Sequence, residues 1–128
     1  MNQFFELLLY GLLLVVVDSL YLSQISTPFG KMVEKIQKKP MKMKIAPAVV
    51  VYLALVGAWH FFIHREMKKR SFGENVGRAA LLGLFIYAVY DFTNLALIDG
   101  YRLDLAIIDS LWGSTLFALT TALFSVIV

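Results

Sequence analysis

Three aspartates, Asp18, Asp91 and Asp109, lie inside stretches of the sequence that are otherwise strongly apolar. A carboxyl group among apolar side chains costs free energy unless it is protonated or meets a hydrogen-bond donor or a cation. Inside a lipid bilayer the cost is about 2.5–3.5 kcal/mol for an aspartate near the middle of a helix. Such carboxyls are typical of two arrangements: a polar contact that joins helices, or a pathway for protons or cations.

The third apolar stretch is the richest in polar groups, because Asp91 is followed closely by Thr93 and Asn94. Tyr87, Asp91 and Asn94 are spaced i, i+4 and i+7, so a helix would place them on one face. That face would then offer a phenol, a carboxyl and an amide over two turns, with the hydroxyl of Thr93 nearby. We therefore take residues 90–94, with Tyr87 on the same face, as the predicted polar centre of the protein.

The composition explains what surrounds this centre. The chain has 128 residues, of which 59% are hydrophobic and 16% charged, far from the balance of a soluble domain. Its length fits a single domain, residues 1–128. The absence of cysteine excludes disulfides and thiolate metal sites. The sequence therefore predicts an all-α, integral membrane four-helix bundle.

Four apolar segments are each long enough to cross about 30 Å of hydrocarbon, at about 4–23, 45–64, 76–98 and 104–127. The first lacks the basic flank of a cleavable signal peptide, so we interpret it as a retained helix. The last two are joined by only a few residues and should be antiparallel neighbours. Four spans place both termini on one side of the membrane. The first and third connectors, on the opposite side, carry seven basic residues, whereas the side of the termini carries five, and this difference predicts a non-cytoplasmic location for the termini.

The connector between the first two spans carries most of the lysines. Thr27-Pro28 resembles a helix start and Pro40 a helix stop, with apolar residues on one face between them. We therefore predict a short amphipathic helix that lies in the membrane interface and contacts anionic headgroups. Binding of nucleic acid or of an acidic protein is the less favoured alternative. The predicted headgroup contacts are Lys31, Lys35, Lys38, Lys39, Lys42 and Lys44.

The three aspartates are predicted to meet at one depth. Their distances from the span ends place all three carboxyls about 7–11 Å inside one membrane boundary, at 1.5 Å per residue. Asp18 and Asp109 are each followed three residues later by an aromatic residue that can donate a hydrogen bond, and Arg102 stands in the connector above. The predicted cluster comprises Asp18, Tyr21, Tyr87, Asp91, Thr93, Asn94, Arg102, Asp109 and Trp112.

Helix contacts and the far end of the second span complete the prediction. Pairs of small residues four apart, such as Ala79 and Gly83, allow helices to approach closely. Trp59, His60 and His64 suggest an interfacial aromatic belt rather than a metal site, since the sequence has no third histidine or cysteine. We predict no metal and no cofactor.

These blocks resemble a known family. Tyr90-Asp91-Phe92-Thr93-Asn94-Leu95-Ala96 and Asp109-Ser110-Leu111-Trp112-Gly113 are similar to the Y-D-x-T-N-x-A and D-x-x-W-G signatures of small four-span membrane proteins, mostly bacterial, that form a domain family of unknown function. The family's first span usually has D-x-x-W, whereas this sequence has Tyr21 at the last position. The resemblance extends over essentially the whole chain and implies a membrane protein with four spans, but no activity.

Three functions fit these residues. The favoured one is a non-catalytic structural or assembly subunit of a membrane or membrane complex, with the carboxyls holding the bundle together. The alternative is a small oligomeric transporter linked to protons or cations. An intramembrane aspartyl enzyme is the least favoured, because the second aspartate lacks a glycine-rich context. The expected partners are lipids and a homo-oligomer or larger membrane assembly, with no specific nucleic acid.

Overall fold

The computed structural model describes residues 2–128 and is all-α within them. Four long helices follow one another: α1 at Gln3–Gln37, α2 at Ile45–Phe62, α3 at Phe72–Leu97 and α4 at Leu103–Ile127, with a short 3₁₀ helix at His64–Lys69 between α2 and α3. Each of the four, α2 taken together with the 3₁₀ helix, is long and apolar enough to cross a membrane. The predicted four-span, all-α fold class is confirmed at this level.

The outer surface of the bundle is apolar. Large aliphatic and aromatic side chains point outward along every helix, including Leu12 on α1, Leu53 on α2, Phe85 on α3 and Val126 on α4. Several of the buried side chains are polar instead. A continuous apolar exterior of this extent would aggregate in water and suits contact with lipid chains.

Helices α3 and α4 approach most closely at a pair of glycines. A Cβ built on Gly83 would overlap the carbonyl oxygen of Gly113, and one built on Gly113 would overlap the ring of Tyr87. Ala79, one turn before Gly83, is fully buried. The prediction that Ala79 and Gly83 permit a close helix contact is therefore confirmed, with Gly113 as the partner that the sequence did not identify.

The predicted interfacial helix between the first two spans is wrong. Helix α1 runs without interruption through Pro28 to Gln37. A proline removes one backbone hydrogen bond, but here no glycine or other strong turn residue stands between Ser23 and Pro28 to end the helix. With 35 residues α1 is about 52 Å long, well beyond the hydrocarbon thickness. It ends where Lys38 adopts a left-handed backbone conformation, shortly before Pro40.

The extension of α1 packs against the connector between α3 and α4. Met32 is buried, and its sulfur accepts a hydrogen bond from the backbone N–H of Arg102 at 3.2 Å. The ring of Phe29 meets Tyr101 edge to face, with centroids 6.2 Å apart. The apolar face of the predicted interfacial helix therefore covers this connector instead of the membrane, and this contact favours continuation of the helix.

We predict that Gly83→Ala destabilises the bundle by about 1–3 kcal/mol, because the new methyl group meets backbone rather than a movable side chain. The thermal midpoint of the purified protein in detergent measures the effect. Gly77→Ala on the same helix is the matched control, since a Cβ there has nothing within 4 Å and alanine favours helix. Equal midpoints for the two variants would contradict the close α3–α4 contact.

We also predict that Met32→Ala increases amide hydrogen exchange in residues 98–102, because the connector loses its cover. Hydrogen-exchange mass spectrometry measures the change. Glu34→Ala, an exposed position on the same stretch of α1, should leave exchange in the connector unchanged. Unchanged exchange in Met32→Ala would show that the extension does not hold the connector.

Candidate functional site

Asp18 joins three helices. Its carboxyl on α1 is buried and accepts hydrogen bonds on both oxygens. The Tyr52 hydroxyl on α2 donates to Oδ2 at 2.5 Å, and Trp112 Nε1 on α4 donates to Oδ1 at 2.9 Å. Both donors are neutral, so the carboxyl is satisfied by side chains from its neighbours without a cation.

Asp109 on α4 is bound in the reciprocal way. The Tyr21 hydroxyl on α1 donates to Asp109 Oδ1 at 2.9 Å, while Trp112 of α4 donates back to Asp18 of α1. The rings of Tyr21 and Trp112 stack between these bonds, with centroids 4.6 Å apart and planes within 8° of parallel. We call this arrangement of four side chains the crossed pair.

The crossed pair explains the repeated pattern in the sequence. Each helix supplies an aspartate and, three residues later, an aromatic donor, which places both on one helical face. When two such helices run antiparallel, the aspartate of each lies opposite the aromatic residue of the other. The pattern therefore produces two reciprocal hydrogen bonds from one local two-fold relation.

Asp91 is the least satisfied of the three carboxyls. It is fully buried, and the Tyr101 hydroxyl donates to its Oδ1 at 3.0 Å. Its Oδ2 and the nearby buried Ser110 Oγ have no hydrogen-bond partner within residues 2–128. The carboxyl also lies within electrostatic range of Asp109. Because Ser110 lies close to this carboxyl, Oδ2 can be satisfied by the Ser110 hydroxyl after a small shift, by a water molecule, or by a proton or cation.

The structure brings part of the predicted cluster together. Tyr21 donates to Asp109 and stacks on Trp112, which donates to Asp18, so these two carboxyls are linked through one aromatic pair. The Tyr87 ring packs against Gly113. Asn94 is half-buried beside Tyr101. Thr93, by contrast, lies on the exposed outer face of α3 and away from the centre.

Arg102 does not serve as the cation of the cluster. Its guanidinium binds Asp104 in a bidentate pair, at 3.0 and 2.5 Å, and both side chains are exposed. A guanidinium at the exposed helix start keeps its hydration, whereas one beside Asp91 would lose it. The preceding residue takes its place: burial raises the pKa of Tyr101, so its phenol stays protonated and donates to Asp91.

Tyr52, Tyr101 and Ser110 were missed from the sequence. Tyr52 had a usable signal, because it is the only residue with a polar side-chain group between Lys44 and Trp59. Tyr101 lies in a connector, where its ring contacts Phe29 and its hydroxyl reaches Asp91, and no spacing rule reveals this position. The six predicted headgroup lysines, Lys31, Lys35, Lys38, Lys39, Lys42 and Lys44, are all exposed at the end of α1 and in the segment after it.

A second aromatic layer lies nearer the chain termini. Tyr10 and Trp59 stack with centroids 3.6 Å apart, and both are fully buried. The Tyr10 hydroxyl is 2.9 Å from Thr120 Oγ1, and Trp59 Nε1 donates to Thr121 Oγ1 at 3.0 Å. The interpretation of Trp59 as part of an interfacial belt is therefore wrong, because its indole is a core contact between α1, α2 and α4.

The two histidines form a hydrogen-bonded row with α1. Gln3 Nε2 lies 3.3 Å from His60 Nε2, His60 Nδ1 lies 2.9 Å from His64 Nδ1, and His64 Nε2 lies 2.8 Å from Glu6 Oε1. One choice of tautomers satisfies the row, with each neutral ring accepting from the previous residue and donating to the next. Within residues 2–128 no group of three histidine, aspartate or glutamate side chains is placed to hold a metal ion.

Four membrane-length helices around a buried carboxyl network define a small multi-pass membrane protein. The family described as "Predicted membrane protein (DUF2177)", a domain family of unknown function, matches residues 4–126. The chain belongs to this family, and the resemblance seen in the sequence is confirmed. Comparisons with curated proteins and with solved structures give no match.

We predict that Trp112→Phe lowers stability by about 0.6–1.7 kcal/mol, because a phenyl ring preserves the stack on Tyr21 but cannot donate to Asp18. A double-mutant cycle with Asp18→Leu, read by thermal unfolding in detergent, isolates the bond, because leucine cannot accept it whereas asparagine could. Phe85→Leu, at an exposed position on α3, is the control and should be close to neutral. Fully additive effects of Trp112→Phe and Asp18→Leu would contradict the bond.

Proposed function

We propose that this protein is a non-catalytic structural or assembly subunit of a membrane or of a complex within it. The observation that carries the proposal is the crossed pair, in which aspartates and aromatic donors from α1 and α4 bind each other reciprocally. Between helices in lipid, hydrogen bonds and small-residue contacts replace the hydrophobic effect as the source of specificity. A buried carboxyl with two donors from two other helices acts as a joint of the bundle.

The topology proposed with this function places both termini on one side of the membrane, the non-cytoplasmic side. The exposed lysines at the end of α1 would then contact anionic headgroups of the opposite leaflet. The apolar outer faces of the helices would contact lipid and either a second copy or another membrane subunit.

A second function is favoured by a different observation. Asp91 Oδ2 and Ser110 Oγ are buried without partners in the described part of the chain, next to a second carboxyl. A buried acceptor left open in this way is what a proton or cation site requires. On this alternative an oligomer of the protein would carry protons or cations, with Asp91 as the titrating group.

Asp91→Asn separates the two functions. If the role is structural, the variant loses stability or forms fewer oligomers, because Tyr101 then binds a weaker acceptor and Asp109 has a different neighbour. The same role predicts that wild-type protein does not dissipate a pH gradient in proteoliposomes. Thermal unfolding, size-exclusion chromatography with light scattering and a pH-sensitive dye inside the vesicles measure the three quantities.

The control is Asp104→Asn, which removes an exposed carboxylate at the start of α4, outside the buried network. It should change neither oligomeric state nor gradient dissipation. A wild-type proton flux that Asp91→Asn abolishes, in a variant that still folds and assembles normally, would overturn the structural role and establish the transport alternative.

A further inference from the structure

A cleft of about 790 Å³ opens at the end of the bundle where α1 begins and α4 ends. Side chains from α1, the 3₁₀ helix, α3 and α4 line it, among them Glu6, Lys68, Asn75 and Phe124. Glu6 precedes Asp18 by twelve residues, which separates the cleft from the aspartate network by about 18 Å along α1. The cleft is therefore a separate feature of the fold.

Asn75 supplies the first sign of a ligand. The residue is 4% exposed, and its Nδ2 donates to the carbonyl oxygen of Met67 at 3.0 Å. This bond fixes the amide orientation, because the flipped amide would set two oxygens against each other. Its Oδ1 is then buried and has no donor within residues 2–128. An acceptor in this state loses about 1–3 kcal/mol, which a ligand with an N–H or O–H group would recover.

The charges around the cleft are arranged in two zones. The Glu6 side chain is only 15% exposed and binds His64, so a carboxylate and the free Asn75 oxygen form an acceptor zone inside. Arg65, Lys68 and Lys69 are exposed at the rim. Lys69 pairs with Glu66, whereas Lys68 has no ion pair within the described residues. This arrangement matches a ligand that places a cationic hydrogen-bond donor inside the cleft and an anionic group at the rim.

We propose that this cleft binds the headgroup of an aminophospholipid, a phosphate diester that carries a primary ammonium group. A small shift of the Asn75 side chain brings its Oδ1 to the cleft surface, where it accepts from the ammonium. The Glu6 carboxylate lines the same cleft, and the phosphate lies against Lys68 and Arg65. Phe72 and Val128, each more than half exposed, form the outer apolar part of the lining, which suits the start of the acyl chains. Because these two side chains also face the outside of the bundle, we assign the ligand to the membrane and not to the aqueous phase.

The test exploits N-methylation, which keeps the charge of the headgroup but removes every N–H donor. Full-length protein in detergent is titrated with phosphatidylethanolamine or phosphatidylcholine of identical acyl chains, and bound lipid is counted by native mass spectrometry. The site predicts about tenfold tighter binding of phosphatidylethanolamine, the factor that corresponds to one well-placed hydrogen bond. Asn75→Leu should remove this preference.

A second variant, Lys68→Gln, keeps the test decisive if Asn75→Leu does not fold. Lys68 is exposed and has no ion pair within the described residues, so its replacement should not disturb folding. It should weaken binding of both lipids severalfold and keep the preference between them. Lys35→Gln, an equal loss of charge near the other end of α1, should change neither. Equal binding of the two lipids by wild-type protein would overturn the proposal. Displacement of the lipid by soluble phosphoethanolamine at matched concentration would overturn the assignment to a membrane lipid.

Discussion

The structure depends on the requirement that a carboxyl inside an apolar bundle be given a donor. In water an aspartate is solvated from any direction, so its position constrains little. In a membrane-length helix its oxygens must find N–H or O–H groups on adjacent helices, and this demand fixes both the rotation and the depth of those helices. The crossed pair meets the demand twice with one geometry, and Tyr52 brings α2 to the same point.

The extension of α1 acts on the same centre from outside it. Its apolar face holds the connector between α3 and α4, and the connector in turn presents the phenol that binds Asp91. Gly100 adopts a positive φ of 89° in this connector, and a Cβ there would come within 3.2 Å of Ile36. The extension of α1, the conformation of the connector and the hydrogen bond to Asp91 are therefore linked by direct contacts.

The number of helices could be predicted, because apolar segments of about twenty residues can be counted along the chain. Within the site, the repeated spacing of an aspartate and an aromatic donor already marked the four side chains that form the crossed pair. The fate of Pro28 could not be predicted in this way. Whether a proline starts a helix or is accommodated within one depends on tertiary contacts. Here the contact is between Met32 and Arg102, which are seventy residues apart in sequence. The identity of each donor was also inaccessible, since Arg102 and Tyr101 are adjacent in sequence and only their side-chain directions separate them.

The order in which the donors occur along the chain has a consequence for biogenesis. Asp18 enters the membrane first, and its earliest donor, Tyr52, follows thirty-four residues later on the next helix. The second oxygen of Asp18 gains its donor only when Trp112 on the last helix is inserted. Asp109, on that same last helix, accepts from Tyr21 on the first. A nascent chain therefore carries an incompletely bonded carboxyl until its final span is inserted. Chains that stop short of α4 would retain an intramembrane polar group that membrane quality-control proteases and chaperones can distinguish from the finished protein.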